Sequence, residues 1–320
     1  MAGVTPRPIF RREELLSSSL DLGSTVVDLA DYATTGLRIV AVGPSGIGKT
    51  NAGLLVAEQL TAQGWHAVLM DPEGEIAALY PTVLTTPAAL QAHLVARADP
   101  PLVVVPVRDA AEFLPFGRVV MQAADEIRRP IFLLLDEGQL FSTSRRKGKA
   151  DALGEASDLV NDMLGRGRKR ALDVFLSAQR FSGTLSRGVF AHKNLTLVGR
   201  QEDPSGWSAL APMFKGSGLG YAETAALNNG EFFCFSRRGV EKVAMPLATA
   251  LAAVAPKAAA VRPHRPVTFS QWDSAMRAIP TTGLRALTPS LVGLLGAVAG
   301  LSAQQLAAGA RALADELATR

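Results

Sequence analysis

The sequence predicts an α/β fold: a mostly parallel sheet flanked by helices, with a small helical segment at the C-terminal end. Two observations carry this prediction. Short apolar runs alternate with helix-patterned stretches from residue 24 to about 200, the order of a sheet whose strands are joined by helical crossovers. Several of these runs, including Leu102-Val103-Val104-Val105 and Ile131-Phe132-Leu133-Leu134-Leu135, are apolar at every position. Continuous rather than alternating apolarity is what a strand covered on both faces requires.

In chain order, strands are expected at Thr25–Leu29, Leu37–Val42, His66–Met70, Leu102–Val107, Ile131–Leu135, Asp173–Ser177 and Leu195–Val198. Helices are expected between them at Thr50–Gln63, Pro87–Arg97, Ala110–Ile127, Ala152–Met163 and Pro204–Met213. Glu231–Ser236 and Val240–Met245 flank Arg237-Arg238-Gly239 and read as a hairpin. After Met245 the composition turns to alanine and proline as far as Pro266, the texture of a linker. Phe269–Ala278 and Ser290–Ala299 are short helical candidates, and Ser302 with Gln305 makes a capping box for a last helix ending near Leu317. The expected organisation is an N-terminal extension (1–21), a main domain (22–246), a linker (247–268) and a helical segment (269–320).

Hydrophobic residues form 48% of the 320-residue chain and charged residues 19%, ordinary for a globular protein with a sizeable core. The net charge of +4 leans only weakly toward an anionic partner, so charge placement matters more than the sum. Cys234 is the single cysteine, which excludes an internal disulfide framework and suits a reducing, cytoplasmic compartment. No signal-peptide pattern is read at the N-terminus, where Arg7, Arg11, Arg12, Glu13 and Glu14 precede no apolar core. Ala286–Ala310 is uncharged and holds a Gly296-x-x-x-Gly300 pair. However, Pro289, Ser290, Ser302, Gln304 and Gln305 interrupt it well short of the ~20 apolar residues that span a bilayer. No membrane insertion is expected.

The chemistry begins at Gly43-Pro44-Ser45-Gly46-Ile47-Gly48-Lys49-Thr50, which fits G-x-x-x-x-G-K-[ST] at every defined position. An apolar strand precedes the motif and a helix pattern follows it, the context a phosphate-binding loop needs. The glycines let consecutive N–H groups point inward, and the positive end of the helix dipole lies beneath them. Lys49 reaches the β and γ phosphates, and the Thr50 hydroxyl suits magnesium. The loop therefore predicts a site for ATP and Mg2+. Asp136 and Glu137, at the end of the Ile131–Leu135 run, supply two carboxylates with different tasks. Asp136 would hold the metal through its waters, and Glu137 would act as general base on the attacking water. That second carboxylate favours a hydrolase over a kinase, and the guanine-reading N-K-x-D motif is missing, His192-Lys193-Asn194 being a failed match.

With these motifs the chain resembles the FtsK–HerA superfamily of P-loop motor ATPases over roughly residues 22 to 246. The resemblance rests on the phosphate loop, on Asp71-Pro72-Glu73-Gly74-Glu75, on Asp136-Glu137, and on Gly167-Arg168-Lys169 with a strand running into Ala178-Gln179-Arg180. The last of these discriminates most, because the first and third occur across many ATPases. Asn229-Gly230-Glu231-Phe232 is also similar to a family segment. The resemblance implies a RecA-like P-loop NTPase fold, ATP hydrolysis coupled to DNA translocation, and a homo-oligomeric, six-membered ring. It further implies that Gln179 senses the γ-phosphate or the attacking water. Arg168 would be an arginine finger reaching a neighbouring subunit's nucleotide, with Arg166 and Arg180 as competitors for that role.

The chain departs from its larger relatives. Too few residues precede Leu22 for the β-barrel of HerA-type helicases, and neither FtsK-type membrane helices nor a winged-helix domain is evident. The remainder is similar to viral genome-packaging ATPases and to ATPases of mobile elements. Packaging is slightly favoured over conjugative transfer and DNA processing, with a portal, nuclease or secretion partner, in the host cytoplasm or the virion. Arg145, Arg146, Lys147 and Lys149 form a basic loop after the magnesium site, suited to tracking DNA phosphates. A ring that binds ATP to assemble partners without threading DNA is the competing reading.

Overall fold

The computed structural model describes residues 18–127, 129–143, 151–181 and 185–254. The basic loop Arg145–Lys149, the linker beyond 254, Ala286–Ala310 and the C-terminal helical candidates lie outside the described residues. Among the described residues no helix is long and apolar enough to cross a membrane.

The chain opens with β1 (Ser19–Asp21) and β2 (Val26–Asp28), then β3 (Arg38–Val42), α1 (Lys49–Ala62), β4 (His66–Asp71) and α2 (Pro87–Ala96). Next come β5 (Leu102–Pro106), α3 (Ala110–Ile127), β6 (Ile131–Leu135), α4 (Ala152–Arg166), β7 (Leu172–Ala178), α5 (Arg187–His192) and β8 (Leu195–Val198). The described chain ends with α6 (Pro204–Phe214), α7 (Tyr221–Ala225), β9 (Glu231–Ser236), β10 (Gly239–Ala244) and α8 (Thr249–Val254).

Eight strands form one sheet in the order β10-β9-β8-β3-β7-β6-β4-β5. From β8 to β5 the pairing is parallel, and β9 and β10 add an antiparallel edge. Alternate residues of the central strands face opposite layers, as the period of two dictates. Val40, Val42, Leu133, Leu135, Val174 and Leu176 pack with Phe113 of α3 and Val160 of α4. Ile39, Ala41, Phe132, Leu134 and Phe175 pack with Leu54 and Val56 of α1. Each central strand is therefore apolar throughout because both of its faces are core.

Helix α1 packs closely on the sheet at Gly53, where an added Cβ would come within 2.7 Å of Leu134 Cδ1 and that side chain would have to shift. One carboxylate is fully buried between the layers. Asp173 accepts Leu37 N at 2.7 Å and Trp65 Nε1 at 2.9 Å, which satisfies a group too costly to bury alone.

One expected strand is corrected. The run Thr25–Leu29 does not join the large sheet; Val26–Asp28 pairs only with β1 in a short antiparallel ribbon. Asp28 ends it early, because its carboxylate accepts Ala30 N at 2.9 Å and caps a 3-10 turn over Leu29–Tyr32. β1 and α8 also carry regular structure slightly beyond the expected limits of 22 and 246.

Candidate nucleotide site

Sheet register brings the site together. β7 lies between β3 and β6, with Val42 paired to Ala178 and Leu135 paired to Leu176. The three strands therefore end at one edge, where Gly43, Asp136 and Gln179 begin neighbouring loops. This is the carboxyl edge of a parallel sheet, where such folds place their ligands.

Gly43, Gly46 and Gly48 adopt φ of 150°, 79° and 99°, so the loop has the left-handed turns that aim N–H groups inward. The loop is pinned from outside by Gly230 N, which donates to Ile47 O at 2.9 Å. Helix α1 starts at Lys49. The Lys49 side chain is 5% exposed and folds back over the loop, where Nζ donates to Pro44 O at 2.9 Å. Burial pushes its ammonium below the usual lysine range, and the nearby Glu137 and Asp136 carboxylates pull the other way.

Across the cleft the Thr50 hydroxyl donates to Asp136 Oδ2 at 2.9 Å. A hydroxyl and a carboxylate converging beside a phosphate loop match the hard oxygen donors that magnesium takes. Glu137 departs from Asp136 in direction because its backbone is left-handed, φ 48° and ψ 50°. For a residue with a Cβ this conformation costs on the order of 1 kcal/mol, and such strain gathers at working sites. Three side chains hold it. Glu137 N donates to Ser177 Oγ at 2.9 Å, Gln139 Nε2 donates to Glu137 Oε2, and Gln179 Nε2 donates to the same oxygen at 3.4 Å. Ser177 Oγ in turn donates to Asp136 Oδ1 at 2.5 Å.

These groups border a cleft of about 730 Å³ that also takes in Ser45, Glu73, Glu75 and Leu251. Leu251 is positioned by α1 itself. Asn51 bonds to Pro246 O and Ala248 N, and Glu58 accepts Thr249 N and Ala250 N, so the segment after β10 is tied down along the phosphate-loop helix.

The structure thus brings Lys49, Thr50, Asp136, Glu137 and Gln179 to one cleft. It places Arg168 elsewhere. The turn Gly167–Arg170 precedes β7, whereas Gln179 follows it. Seven strand residues separate the two ends, roughly 20 Å at ~3.3 Å each. Sequence reading passed over Ser177, Gln139 and Leu251. Ser177 left a trace, as a hydroxyl in a strand otherwise built for burial on both faces. Gln139 and Leu251 left none, because only the local turn and the return of the chain along α1 bring them in.

No family model matches the chain. The DNA repair and recombination protein RadB of Halobacterium salinarum is 30% identical over 147 residues, 44% of this chain and 58% of RadB. The chain thus spans less than two thirds of that relative's length. Among solved structures, the genome packaging NTPase B204 from Sulfolobus turreted icosahedral virus 2, in complex with ATP-gammaS, superposes with a TM-score of 0.51 at 16% identity. That match covers 65% of this chain and 97% of B204. VirB4 of Thermoanaerobacter pseudethanolicus matches with a TM-score of 0.51 at 12% identity, over 72% of this chain and 96% of VirB4. The chain has the RecA-like P-loop NTPase fold, and its structural neighbours are P-loop ATPases of the FtsK–HerA type.

Proposed function

We propose that this chain hydrolyses ATP and uses the energy to translocate DNA as a homo-oligomeric ring, with genome packaging as the favoured task. The observation that carries the reading is the convergence of Lys49, Thr50, Asp136, Glu137 and Gln179 on one cleft beside a glycine-turned loop.

The roles follow from the geometry. The loop N–H groups and Lys49 hold the β and γ phosphates, with charge supplied by a lysine that burial has already stripped of water. Magnesium, held from Thr50 and Asp136, would neutralise charge on the phosphate oxygens. Glu137, fixed in direction by Ser177 and Gln139, accepts the proton of the attacking water as the new P–O bond forms and the bond to the β-phosphate oxygen breaks. Gln179 orients that water from beside Glu137. The turn carrying Arg168 is at the far end of β7, so its guanidinium would serve a neighbour's nucleotide, not its own.

The likeness to B204 supports packaging, and the loop Arg145, Arg146, Lys147 and Lys149 supplies charges for a phosphate backbone. The test is steady-state ATP hydrolysis with and without duplex DNA at stepped salt. Stimulation that fades with salt is expected, and neutralising the four loop cations flattens the binding slope by about 0.9 per lost phosphate contact. Hydrolysis indifferent to DNA would favour the assembly-scaffold reading instead.

A further inference from the structure

A triphosphate lying in the cleft has a direction. A loop of this kind cradles the α and β phosphates with its N–H groups, its lysine reaches the β and γ phosphates, and its threonine meets the metal. Glu137 and Gln179 sit together on the side of the attacking water, which is the γ-phosphate end. The ribose and base therefore leave at the other end, past Asn51, the residue that follows Thr50 on α1.

Among the described residues, two aliphatic side chains border the cleft, and they belong to different ends of it. Leu140 closes the 3-10 turn Gly138–Leu140 that starts beside Glu137, so it lies toward the γ-phosphate. Leu251 comes from α8, and the approach to α8 is tied to Asn51. Asn51 Nδ2 donates to Pro246 O at 2.9 Å, and Asn51 Oδ1 accepts Ala248 N at 2.8 Å. Leu251 thus stands on the side where the base emerges, partly buried and still open to the cleft. Asn51, buried and with both ends of its amide engaged, is not free to read the base itself.

What keeps Leu251 there is polar. α8 has six residues and none is buried, and a helix so short has little stability of its own. Its seat is Glu58, two turns beyond Asn51 on the same face of α1. Glu58 Oε2 accepts Thr249 N at 2.5 Å, and Oε1 accepts Ala250 N at 2.9 Å and the Tyr80 hydroxyl at 2.8 Å. Burial alone would raise the pKa of this carboxyl, but those bonds outweigh it and hold it below the ordinary value. We propose that Leu251 is the side chain on which the nucleobase packs, and that Glu58 is the residue that positions it. This rests on reading the cleft as a nucleotide site. An aliphatic side chain gives a purine apolar contact and reads none of its donors or acceptors, so adenine and guanine pack on it alike.

The test is titration calorimetry on the full chain with magnesium and three ligands: ATP-γS, GTP-γS and inorganic tripolyphosphate, which has no base. Leu251→Ala should weaken both nucleotides about five-fold and leave tripolyphosphate unchanged. Leu251→Met keeps the apolar contact and should bind like the parent. Glu58→Ala unties α8 and should repeat the pattern of Leu251→Ala. Glu58→Gln keeps an amide oxygen for the α8 N–H groups and should bind nucleotide more tightly than Glu58→Ala. Unchanged tripolyphosphate binding also shows that each variant folds with its loop intact. Equal losses for all three ligands would make α8 a support of the loop and not a wall for the base, which overturns the proposal. So would full nucleotide affinity in Leu251→Ala, or a parent that binds tripolyphosphate as tightly as ATP-γS. Full affinity in Glu58→Ala would overturn its positioning role. If the parent binds none of the three, the nucleotide reading itself falls; bound ligands with an indifferent Leu251 confine the failure to the base wall.

Discussion

Ser177 links the two carboxylates of the cleft: its hydroxyl donates to Asp136 Oδ1 at 2.5 Å while accepting the N–H of Glu137 at 2.9 Å. Asp136 and Glu137 are sequence neighbours with different proposed tasks, and this one buried hydroxyl on the adjacent strand contacts both. Without it, the left-handed turn at Glu137 would lose a bond that offsets its strain.

Ser177→Ala therefore leaves the half-buried N–H of Glu137 without this partner and should lower unfolding stability by about 1 kcal/mol. The kinetic effect should fall on kcat more than on ATP affinity, because the phosphate loop is untouched. Denaturant unfolding and steady-state hydrolysis check the two halves separately. Full activity at reduced stability would assign the alignment of Glu137 to Gln139.

Lys49 is a charge held out of water, so its removal should have opposite effects on binding and on the apo fold. Lys49→Met should weaken ATP binding by about 10- to 100-fold, the loss of a charged hydrogen bond worth ~1.5–3 kcal/mol. The apo protein should become more stable near neutral pH. Burial lowers the folded lysine below its ordinary value of 10.5. Below the folded value both states are charged and the burial cost is fully expressed. As pH rises from the folded value toward 10.5, the folded state sheds its proton first, and stability is regained. The methionine variant should lack that alkaline rise, which thermal melts of apo protein across the window would detect.

Much of this was legible in the residues themselves. Runs such as Ile131–Leu135 announce a strand covered on both faces, and the spacing of Gly43 to Thr50 announces the glycine-turned loop that runs into α1. The failures share a cause. Thr25–Leu29 does hold a strand, but Asp28 ends it by capping the next turn, a competition between side chain and backbone that periodicity does not register. Ser177 and Leu251 join the site through sheet register and through Asn51 and Glu58 anchoring a distant segment. Such contacts exist only after the layers have packed.

Glu137→Gln separates binding from chemistry. The amide retains much of the shape but accepts a proton far less readily, so hydrolysis should fall by ~10²–10⁴ while ATP and magnesium still bind. Slowed turnover should accumulate the ATP-bound state, visible as retained labelled nucleotide after rapid gel filtration. A loss of only a few-fold would show that the base lies elsewhere and that Glu137 serves the turn.

The trans role of Arg168 is testable by complementation. Its turn lies at the end of β7 opposite Gln179, so a chain acting alone cannot supply this arginine to its own γ-phosphate without rebuilding the sheet edge. Arg168→Ala chains should be inactive by themselves, because every nucleotide lacks its neighbour's guanidinium. Glu137→Gln chains should be inactive for want of the base. In a mixture, an intact Glu137 on one chain can meet an intact Arg168 on the next, so hydrolysis should return and peak near equal proportions. An arginine acting in cis predicts no recovery, since each nucleotide would still see one of the two defects. The measurement is hydrolysis across mixing ratios, with subunit exchange shown by energy transfer between labelled chains. Proven exchange without recovered activity would reject the trans finger at Arg168 and direct the same test to Arg166 and Arg180.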